Sequence, residues 1–479
     1  MALKTARGTR ALLDLEDDAP DVLFEKLPGA SVPFWTTVRT GFWVAMQDHD
    51  FGSEPITTPS QRKGRIAALS TLARAFLPSR RDARRLRSQR DGLYLVSGAT
   101  THVAGGKVRN WLVGDFADLF PESSAILQWR SIGHPDPAFS PTTSLDALVT
   151  RAAGHARLSR RDVDLRGVRR LVDEIARRLD DRITAEQLDA IASSAAYSAL
   201  IAPHVESQFS RVLDRVRPRV VLMEDASYGS WAALVALMKS RGILVAEPQH
   251  GWIGPTHGAY NFGAAMWEPE LRATLPDELL TFGEYWSEGI RHPARVTPVG
   301  KPHLEAMRGR APEWGDRPRE VLLVSSTADP EATTKFALSL RDALPADWLV
   351  RFRPHPEERL TVASRYPGLI SEPRILLDQN SDVYESLARA RGVVGVASTV
   401  MFEAVAMGCQ VFATDSPFAD YYVGDLFGSV IKGPQDAGLI AEALREGDVS
   451  PSASFGGLWK PGARANFRAW MESRLGDAP

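Results

Sequence analysis

The stretch from Gly392 to Asp415, GVVGVASTVMFEAVAMGCQVFATD, decides the fold class of this chain. Its opening run, VVGV, is rich in β-branched residues and predicts a buried parallel strand. Ser398 or Thr399 then predicts the N-cap of a helix, and Gly408 suits the position just after that helix. Residues 410–413 predict the next strand. A strand, a helix and a strand in this order indicate a parallel sheet with helical crossovers.

The turn between this strand and helix is a candidate phosphate site. Ser398 and Thr399 place two hydroxyl groups at a helix N-terminus, where backbone N–H groups and the helix dipole favour an anion. Glu403 lies one turn further along the same helix face, where a carboxylate can accept hydrogen bonds from a ribose diol. The alternative is an ordinary capped helix with a solvated glutamate, and the stretch alone does not decide between them.

The composition is that of a globular protein of two or three domains. The chain has 479 residues, of which 44% are hydrophobic and 24% charged, and its formal net charge of −2 argues against a general nucleic-acid binder. Its one cysteine, Cys409, excludes a cysteine-cluster metal site and fits a reducing compartment. Because neither a signal-peptide pattern nor a membrane-spanning apolar run is present, we expect a cytoplasmic protein.

Two stretches alternate strand and helix patterns, and they predict an α/β protein with two Rossmann-like domains. The first contains a strongly helical segment, residues 144–215, before its βαβ pattern resumes at residue 217. The second restarts at residue 320 and ends in an amphipathic helix over residues 461–476. The predicted domains are residues 1–294 with the helical insertion, residues 295–460, and a C-terminal helix over residues 461–479.

Loops at the carboxyl ends of the strands carry the candidate residues of the second domain, because ligands of parallel sheets bind there. In the sequence RPHP, two prolines restrict the direction of His355, and His355 and Arg353 can both donate to phosphate. Ser325 and Ser326 follow another strand and either line the same pocket or cap the next helix. The alternative for His355 is a rigid turn in which the histidine is incidental.

The corresponding loops of the first domain carry candidates for acid–base chemistry. His250 is a candidate general base because histidine titrates at about 6.5. Glu224 and Asp225 offer another base or an orienting partner for His250, although acids before a helix also simply favour its dipole. His257 and Tyr260, in a glycine-rich loop, can orient an acceptor; an ordinary surface loop is the alternative.

Two further observations concern partners and metals. Residues 79–91 contain six arginines, which form either a solvated face or a contact with anionic lipid or an anionic glycan.

No P-loop, Gly-x-Gly-x-x-Gly, His-Glu-x-x-His or nucleophile-elbow motif is present, and the scattered acids lack metal-ligand spacing. We therefore expect no catalytic metal.

Together these loops resemble the GT-B class of glycosyltransferases. More narrowly, the chain is similar to bacterial surface-polysaccharide transferases: capsule and teichoic-acid-type polymerases, sialyltransferases and Kdo transferases. The resemblance covers about residues 217–430. The matching pieces, in order, are PQHG at 248–251, TFG at 281–283, PVGKP at 298–302, RPHP at 353–356, and Ser398–Thr399 through Glu403 to Asp415.

The resemblance implies a GT-B-like fold in which the two domains face a central cleft and the C-terminal helix crosses back to the first domain. It assigns the donor phosphate to His355, Ser398 and Thr399, and the donor ribose to Glu403. It assigns deprotonation of the acceptor hydroxyl to His250, Glu224 or Asp225. It also implies independence of metal, because helix dipoles and basic side chains stabilise the leaving phosphate.

Three departures from the related patterns narrow this expectation. Many retaining GT-B enzymes carry two glutamates separated by seven residues; the partner of Glu403 would be position 411, which is Val411, and this favours an inverting mechanism. Ala226 follows the acidic pair where sialyltransferases have glycine, which argues against sialic acid. Gln249 stands where teichoic-acid-type polymerases have tryptophan before the His-Gly pair.

The expected function is transfer of a sugar from a CMP-, CDP- or UDP-linked donor to a glycan or lipid-linked acceptor. The nucleotide sugar is a substrate, no cofactor is expected, and the setting is bacterial surface or capsule polysaccharide synthesis at the inner face of the membrane. Two alternatives stay open. One is a phosphotransferase that uses a CDP-alcohol such as CDP-glycerol or CDP-ribitol; the other is a nucleotide-sugar epimerase-like protein or a non-catalytic nucleotide-binding module.

Overall fold

The computed structural model divides the chain into two compact units. The described residues are 7–51, 86, 88–129, 137–159, 162–179, 183–325, 330–355, 358–359, 361–396, 398–414, 430–431, 436–447 and 457–476. The first unit comprises the described residues within 7–50, 57–300 and 462–479, and the second those within 301–461. Each unit contains one parallel sheet, so the predicted α/β class with two Rossmann-like sheets is confirmed.

The described part of the first unit contains nine strands. In chain order they are β1 (Gly92–Ser97), β2 (Thr101–Ala104), β3 (Lys107–Asn110), β4 (Ser124–Trp129), β5 (Thr142–Ser144), β6 (Val220–Met223), β7 (Leu244–Pro248), β8 (Glu278–Thr281) and β9 (Arg295–Pro298). Seven of them form a parallel sheet in the order β5-β4-β1-β6-β7-β8-β9, while β2 and β3 form an antiparallel hairpin. The strand order reverses beside β1, so a topological switch point lies between β1 and β6, where α/β sheets bind ligands.

Helices cover this sheet and form the predicted insertion. The α-helices of the first unit are Arg7–Asp18, Phe34–Phe51, Gly114–Ala117, Leu145–Leu158, Leu165–Leu179, Ala185–Val216, Ala232–Ser240, Pro269–Arg272 and Ala463–Gly476. The three helices expected between residues 144 and 215 are present. Thr184 and Gln187 form a capping box at the start of the longest one, which fixes where it begins.

The second unit repeats the same construction. Its strands are β10 (Glu320–Val324), β11 (Leu349–Arg353), β12 (Ile375–Leu377), β13 (Gly392–Gly395), β14 (Gln410–Thr414) and β15 (Val430–Ile431), in the parallel order β12-β11-β10-β13-β14-β15. The α-helices are Pro302–Arg308, Pro330–Ala343, Val362–Arg365, Val383–Leu387, Thr399–Ala406 and Ala437–Glu446. The switch point here lies between β10 and β13. The opening stretch of the sequence therefore forms the strand, helix and strand that it predicts.

The central strands are buried along their whole length, as expected when helices cover both faces of a parallel sheet. Every residue of β6 and of β10 is buried. The last helix, Ala463–Gly476, packs Phe467, Trp470 and Met471 into the apolar core of the first unit. The ring of Phe467 stacks on Phe116 with the centroids 4.0 Å apart.

The passage between the units lies between Gly300 and Lys301, rather than at residue 295 as expected. The reason is β9: Arg295–Pro298 pairs in parallel with β8 and so completes the first sheet.

The arginine-rich residues 79–91 lie largely outside the described residues, so their contacts remain an expectation. No helix in the described part of the chain is long and apolar enough to cross a bilayer.

Candidate active site

A cavity of about 530 Å³ opens at the carboxyl ends of β1, β4 and β6 in the first unit. This position is the switch point of the seven-stranded sheet, and the volume is in the range of small-molecule sites. Acidic, imidazole and aromatic side chains line it together. They are Glu224 and Asp225 after β6, His250 after β7, Trp129 at the end of β4, and Tyr228 and Trp231.

Asp225 and His250, both expected in the active site, form a pair at this cavity. His250 Nε2 lies 3.2 Å from Asp225 Oδ1. The side chain of Asp225 is 43% exposed and that of His250 21%, while the Nδ1 atom of the imidazole is buried. The imidazole therefore presents its Nε2 edge to the carboxylate, and Asp225 is the more accessible member of the pair.

Asp225 occupies a strained turn, which fixes the direction of its side chain. Its φ of 60° lies in the left-handed region, and Gly229 ends the same turn with a φ of 79°. A Cβ atom at Gly229 would lie 2.1 Å from the carbonyl oxygen of Thr36, so glycine is required there. A strained non-glycine residue persists only where its surroundings hold it, and such residues cluster at functional sites.

Glu224 faces the same cavity but is held by the neighbouring strand. Its Oε2 accepts hydrogen bonds from Ser97 N, at 2.6 Å, and from Thr100 Oγ1, at 3.2 Å. Burial raises the pKa of Glu224, with the Asp225 charge adding to the rise and His250 opposing it. Glu224 therefore joins β6 to the end of β1 and is less available than Asp225 as a proton acceptor.

Two tryptophans form an apolar wall of the cavity. Trp129 and Trp231 meet edge to face, with ring centroids 5.6 Å apart and an interplanar angle of 80°. Both side chains are partly buried against the core cluster beneath the sheet. A wall of this kind gives a ligand apolar surface beside the polar Asp225–His250 pair.

His257 and Tyr260, expected to contact an acceptor, are instead buried in the interior of the first unit. His257 Nδ1 accepts a hydrogen bond from Ala259 N at 3.2 Å, and the imidazole packs against Trp43. Burial lowers the pKa of His257 to about 3, so the ring is neutral. Tyr260 is 1% exposed and donates to Glu247. Both residues support the loop that carries His250.

Sequence reasoning missed a buried polar cluster behind the cavity. Glu247, in β7, accepts hydrogen bonds from Ser227 N at 2.9 Å, from Ser227 Oγ, and from Tyr260 OH at 3.0 Å. Ser227 Oγ also lies 3.0 Å from His292 Nε2. Burial raises the pKa of Glu247 to about 7 and lowers that of His292 to about 3. The one available signal was a glutamate inside an otherwise apolar strand, LVAEP.

In the second unit, the predicted hydroxyl turn follows β13 at the switch point. Ser398 is the N-cap of the helix Thr399–Ala406, and its Oγ accepts a hydrogen bond from Val400 N at 3.2 Å. Thr399 is the first helical residue and is partly exposed. This geometry matches the predicted turn, while phosphate binding there stays a prediction.

Glu403 forms a buried ion pair instead of facing solvent. Its Oε1 accepts from Nζ of Lys301, and both side chains are less than one-tenth exposed. The Nζ atom of Lys301 also lies 5.5 Å from the centroid of the Tyr384 ring. The carboxylate expected to bind ribose is therefore engaged by Lys301, a residue of the PVGKP sequence.

The other candidates of the second unit are also paired within the unit. Arg353 Nη1 donates to Asp378 and, at 3.1 Å, to the carbonyl oxygen of Asn380. Ser325 is buried, and its Oγ donates to Glu358. Neither is placed to contact phosphate in this arrangement. The side chain of His355 is exposed. Ser326 lies outside the described residues.

No protein family matches the sequence, and no curated protein does. The solved structures to which the chain is similar include UDP-GlcNAc 2-epimerases from Methanocaldococcus jannaschii and Neisseria meningitidis, the latter bound to UDP-GlcNAc. The first has 10% identity and a TM-score of 0.46 over 80% of this chain and 99% of that one. The second has 11% identity and a TM-score of 0.46 over 81% and 100%.

A glycosyltransferase from Rickettsia africae is also similar, with 11% identity and a TM-score of 0.38 over 81% of this chain and 94% of that one. At identities and TM-scores this low, the likeness identifies neither the family nor the substrate of this chain.

Proposed function

We propose that the chain is an inverting, metal-independent glycosyltransferase that moves a sugar from a nucleotide-activated donor to a glycan or lipid-linked acceptor. One observation carries the proposal: the Asp225–His250 pair lies beside an open, aromatic-walled cavity at the switch point of the first sheet. A carboxylate or imidazole in such a place can accept the proton of a hydroxyl group.

Asp225 is the proton acceptor in this proposal. The acceptor hydroxyl, bound in the cavity, gives its proton to Asp225 while its oxygen attacks the anomeric carbon of the donor. The bond between that carbon and the phosphate oxygen breaks, and the nucleotide leaves with the electron pair. His250 Nε2 orients Asp225 and stabilises its charge across their 3.2 Å separation. Glu224 is held by Ser97 and Thr100 and has a supporting role.

The aromatic wall supports a sugar as the acceptor. A pyranose ring has an apolar face of C–H groups that can pack on Trp129 or Trp231, while its hydroxyl groups reach the polar pair. An acceptor of this kind contacts both the tryptophans and the polar side chains of the cavity. A purely apolar ligand would form no hydrogen bond with Asp225 or Glu224.

The second unit supplies the donor nucleotide site in this proposal. Its candidates are the exposed His355 and the Ser398–Thr399 turn at the N-terminus of an eight-residue helix. Backbone N–H groups at that terminus and the imidazole can meet the charge on the leaving phosphate. This part rests on the resemblance of RPHP and Ser398–Glu403 to GT-B transferases. Glu403 is assigned to holding the helix through Lys301 rather than to contact with the ribose.

The first experiment is a thermal-shift panel of CMP, CDP, UDP, GDP and ADP on the wild type and on His355→Ala. Binding to the folded state raises the melting temperature with the logarithm of ligand excess. We expect one nucleotide to raise it and His355→Ala, at an exposed position, to remove that shift. Absence of any shift overturns the proposal in favour of a module that does not bind nucleotides.

The second experiment offers the matching nucleotide sugars with mixed oligosaccharide and lipid-linked acceptors and separates the products. Transfer in the wild type and its loss in Asp225→Asn support the proposal, with Asp214→Asn as the matched control, since Asp214 is an exposed carboxylate paired with Arg241. Interconversion of the sugar without an acceptor identifies an epimerase-like enzyme. Release of CMP from CDP-glycerol or CDP-ribitol, with transfer of the alcohol phosphate, identifies the phosphotransferase.

A further inference from the structure

The buried cluster behind the cavity grips the turn that carries Asp225. Glu247 is 0% exposed, and its Oε2 accepts from both the backbone N–H, at 2.9 Å, and the hydroxyl of Ser227. Ser227 lies two residues after Asp225, in the short 3-10 helix Ala226–Tyr228. The carboxylate of Glu247 therefore binds the centre of the turn at two atoms.

That turn needs a restraint, because its backbone is strained. Asp225 has a φ of 60° without being glycine, and a backbone conformation of this kind persists only where surrounding contacts hold it. One end of the turn is held where Thr40 Oγ1 donates to the carbonyl oxygen of Tyr228. Glu247 supplies a further restraint at the centre of the turn, on Ser227.

The hydrogen bonds of the cluster run in one direction and end on Glu247. His292 Nδ1 accepts from Ala294 N at 3.0 Å, so the proton of the neutral ring lies on Nε2. Nε2 then donates to Ser227 Oγ at 3.0 Å, and the Ser227 hydroxyl donates to Glu247. Only an acceptor at Glu247 Oε2 completes this chain, because both the N–H and the O–H of Ser227 point at it.

We propose that Glu247 is a positioning residue for Asp225, and that its carboxylate holds the turn in the reactive conformation only while it is ionised. This inference rests on the proposed role of Asp225 as proton acceptor. A protonated Glu247 is a weaker acceptor, and its proton faces either the two donors of Ser227, if it is on Oε2, or the hydroxyl donor of Tyr260, if it is on Oε1. The turn then loses its central restraint, and Asp225 departs from its position beside His250.

The titration of Glu247 near neutrality supports this coupling. Burial raises its pKa to about 7, while Ser227 and His250 lower it and Asp225 raises it. A fall in transfer rate is therefore expected as the pH drops through about 7. The titratable and charged groups around it come from every neighbouring element: Asp225 and Tyr228 after β6, His250 after β7, His257 and Tyr260 in the following loop, His292 before β9, and Arg39 on the helix Phe34–Phe51.

The test compares wild type, Glu247→Gln and Glu278→Gln over pH 5.5 to 8.5, with kcat and KM for the acceptor measured separately. Glutamine keeps the shape and cannot ionise, so it mimics the protonated form. We expect Glu247→Gln to lower kcat about tenfold at pH 8, to leave KM unchanged and to remove the fall through pH 7, since small displacements of a catalytic group have effects of this size.

Glu278→Gln is the control, because Glu278 is also buried on a strand of this sheet and binds Trp470 and Arg474 rather than the turn. It should keep the fall in rate through pH 7. A Glu247→Gln enzyme that retains the wild-type pH profile overturns the proposal.

A second measurement does not depend on transfer activity. Hydrogen exchange at the Ser227 amide, followed at one pH by mass spectrometry, should become about tenfold faster in Glu247→Gln and stay unchanged in Glu278→Gln. Faster exchange without any transfer activity in the wild type means that the proposed function is wrong while the restraint on the turn is real. Unchanged exchange at Ser227 overturns the inference itself.

Discussion

Each unit holds a strand-end loop with a buried glutamate that accepts hydrogen bonds from similar donors. The two clusters differ in one charged group, an arginine that is present in the second unit. Glu247 in the first unit and Glu358 in the second are both fully buried, and each accepts from a serine hydroxyl, a tyrosine hydroxyl and a loop N–H group. The donors are Ser227 Oγ, Tyr260 OH and Ser227 N for Glu247, and Ser325 Oγ, Tyr366 OH and His355 N for Glu358. Glu358 alone also accepts from a cation, Arg365 Nε, at 3.0 Å.

The same difference is found at carboxylates near the candidate sites of the two units. In the second unit, Glu403 pairs with Lys301 and Asp378 with Arg353. In the described part of the first unit, Glu224 and Glu247 form no ion pair with lysine or arginine, and the pKa of each is raised by burial. A carboxylate whose charge is matched is a fixed structural element, whereas an unmatched one near neutrality can exchange protons. In the proposed function, this difference corresponds to proton chemistry in the first unit and to donor binding in the second.

The largest expected effect comes from removing the accessible carboxylate of the first unit. Asp225→Asn should lower kcat by about 10²- to 10⁴-fold, the usual contribution of a positioned base, and leave nucleotide binding unchanged. His355→Ala in the second unit should mainly raise KM for the donor. Steady-state kinetics with both substrates varied will show whether the two effects separate in this way. Similar losses of kcat from both variants contradict the division of roles.

The Lys301–Glu403 pair gives the next largest effect, on stability. Lys301→Met leaves a buried glutamate without its cation and should destabilise the second unit by about 3–5 kcal/mol. The double variant Lys301→Met, Glu403→Leu removes both charges and should recover most of that loss. Urea-dependent hydrogen exchange of peptides from β13 and β14 measures both changes. A single variant as stable as the double one shows that the pair is not electrostatically coupled.

The sequence predicts where the candidate residues lie but not what they contact. Strand-end positions follow from local patterns, so Asp225, His250, His355 and the Ser398 turn are found where expected. Pairing depends on residues far apart in the chain: Lys301 and Glu403 are 102 positions apart, and no local pattern identifies either as the partner of the other. The role of Glu403 therefore could not be predicted from its helix alone.

Glu247 was missed for a different reason. It lies inside an apolar strand, where the pattern indicates core, and the donors that bind it, Ser227 and Tyr260, come from two separate loops. The boundary at residue 295 was misplaced because the short strand β9 precedes the Gly300–Lys301 step and belongs to the first sheet. A strand of four residues does not show which of two sheets it joins until its partner is known.

The smallest effects come from neutralising the two equivalent glutamates, Glu358 and Glu247, and they differ in pH dependence. Glu358→Gln leaves Arg365 without its buried partner and should destabilise the second unit by about 2 kcal/mol at every pH from 6 to 8. Glu247→Gln should behave otherwise, because the folded-state pKa of Glu247, about 7, lies above the ordinary glutamate value of 4.5. Between these two values the folded protein binds more protons than the unfolded chain, so this carboxyl group lowers stability as the pH rises.

Glutamine at position 247 cannot ionise, so the variant does not lose this stability as the pH rises. Relative to wild type, Glu247→Gln should therefore gain roughly 2 kcal/mol of unfolding free energy between pH 5 and pH 8, while it loses transfer rate. Urea-dependent exchange of β6 and β7 peptides at the two pH values measures the change, with β10 and β11 peptides as the internal reference. A stability difference that stays constant with pH means that Glu247 is ionised throughout this range, as a carboxylate with its own cation would be. The distinction between the two clusters would then disappear.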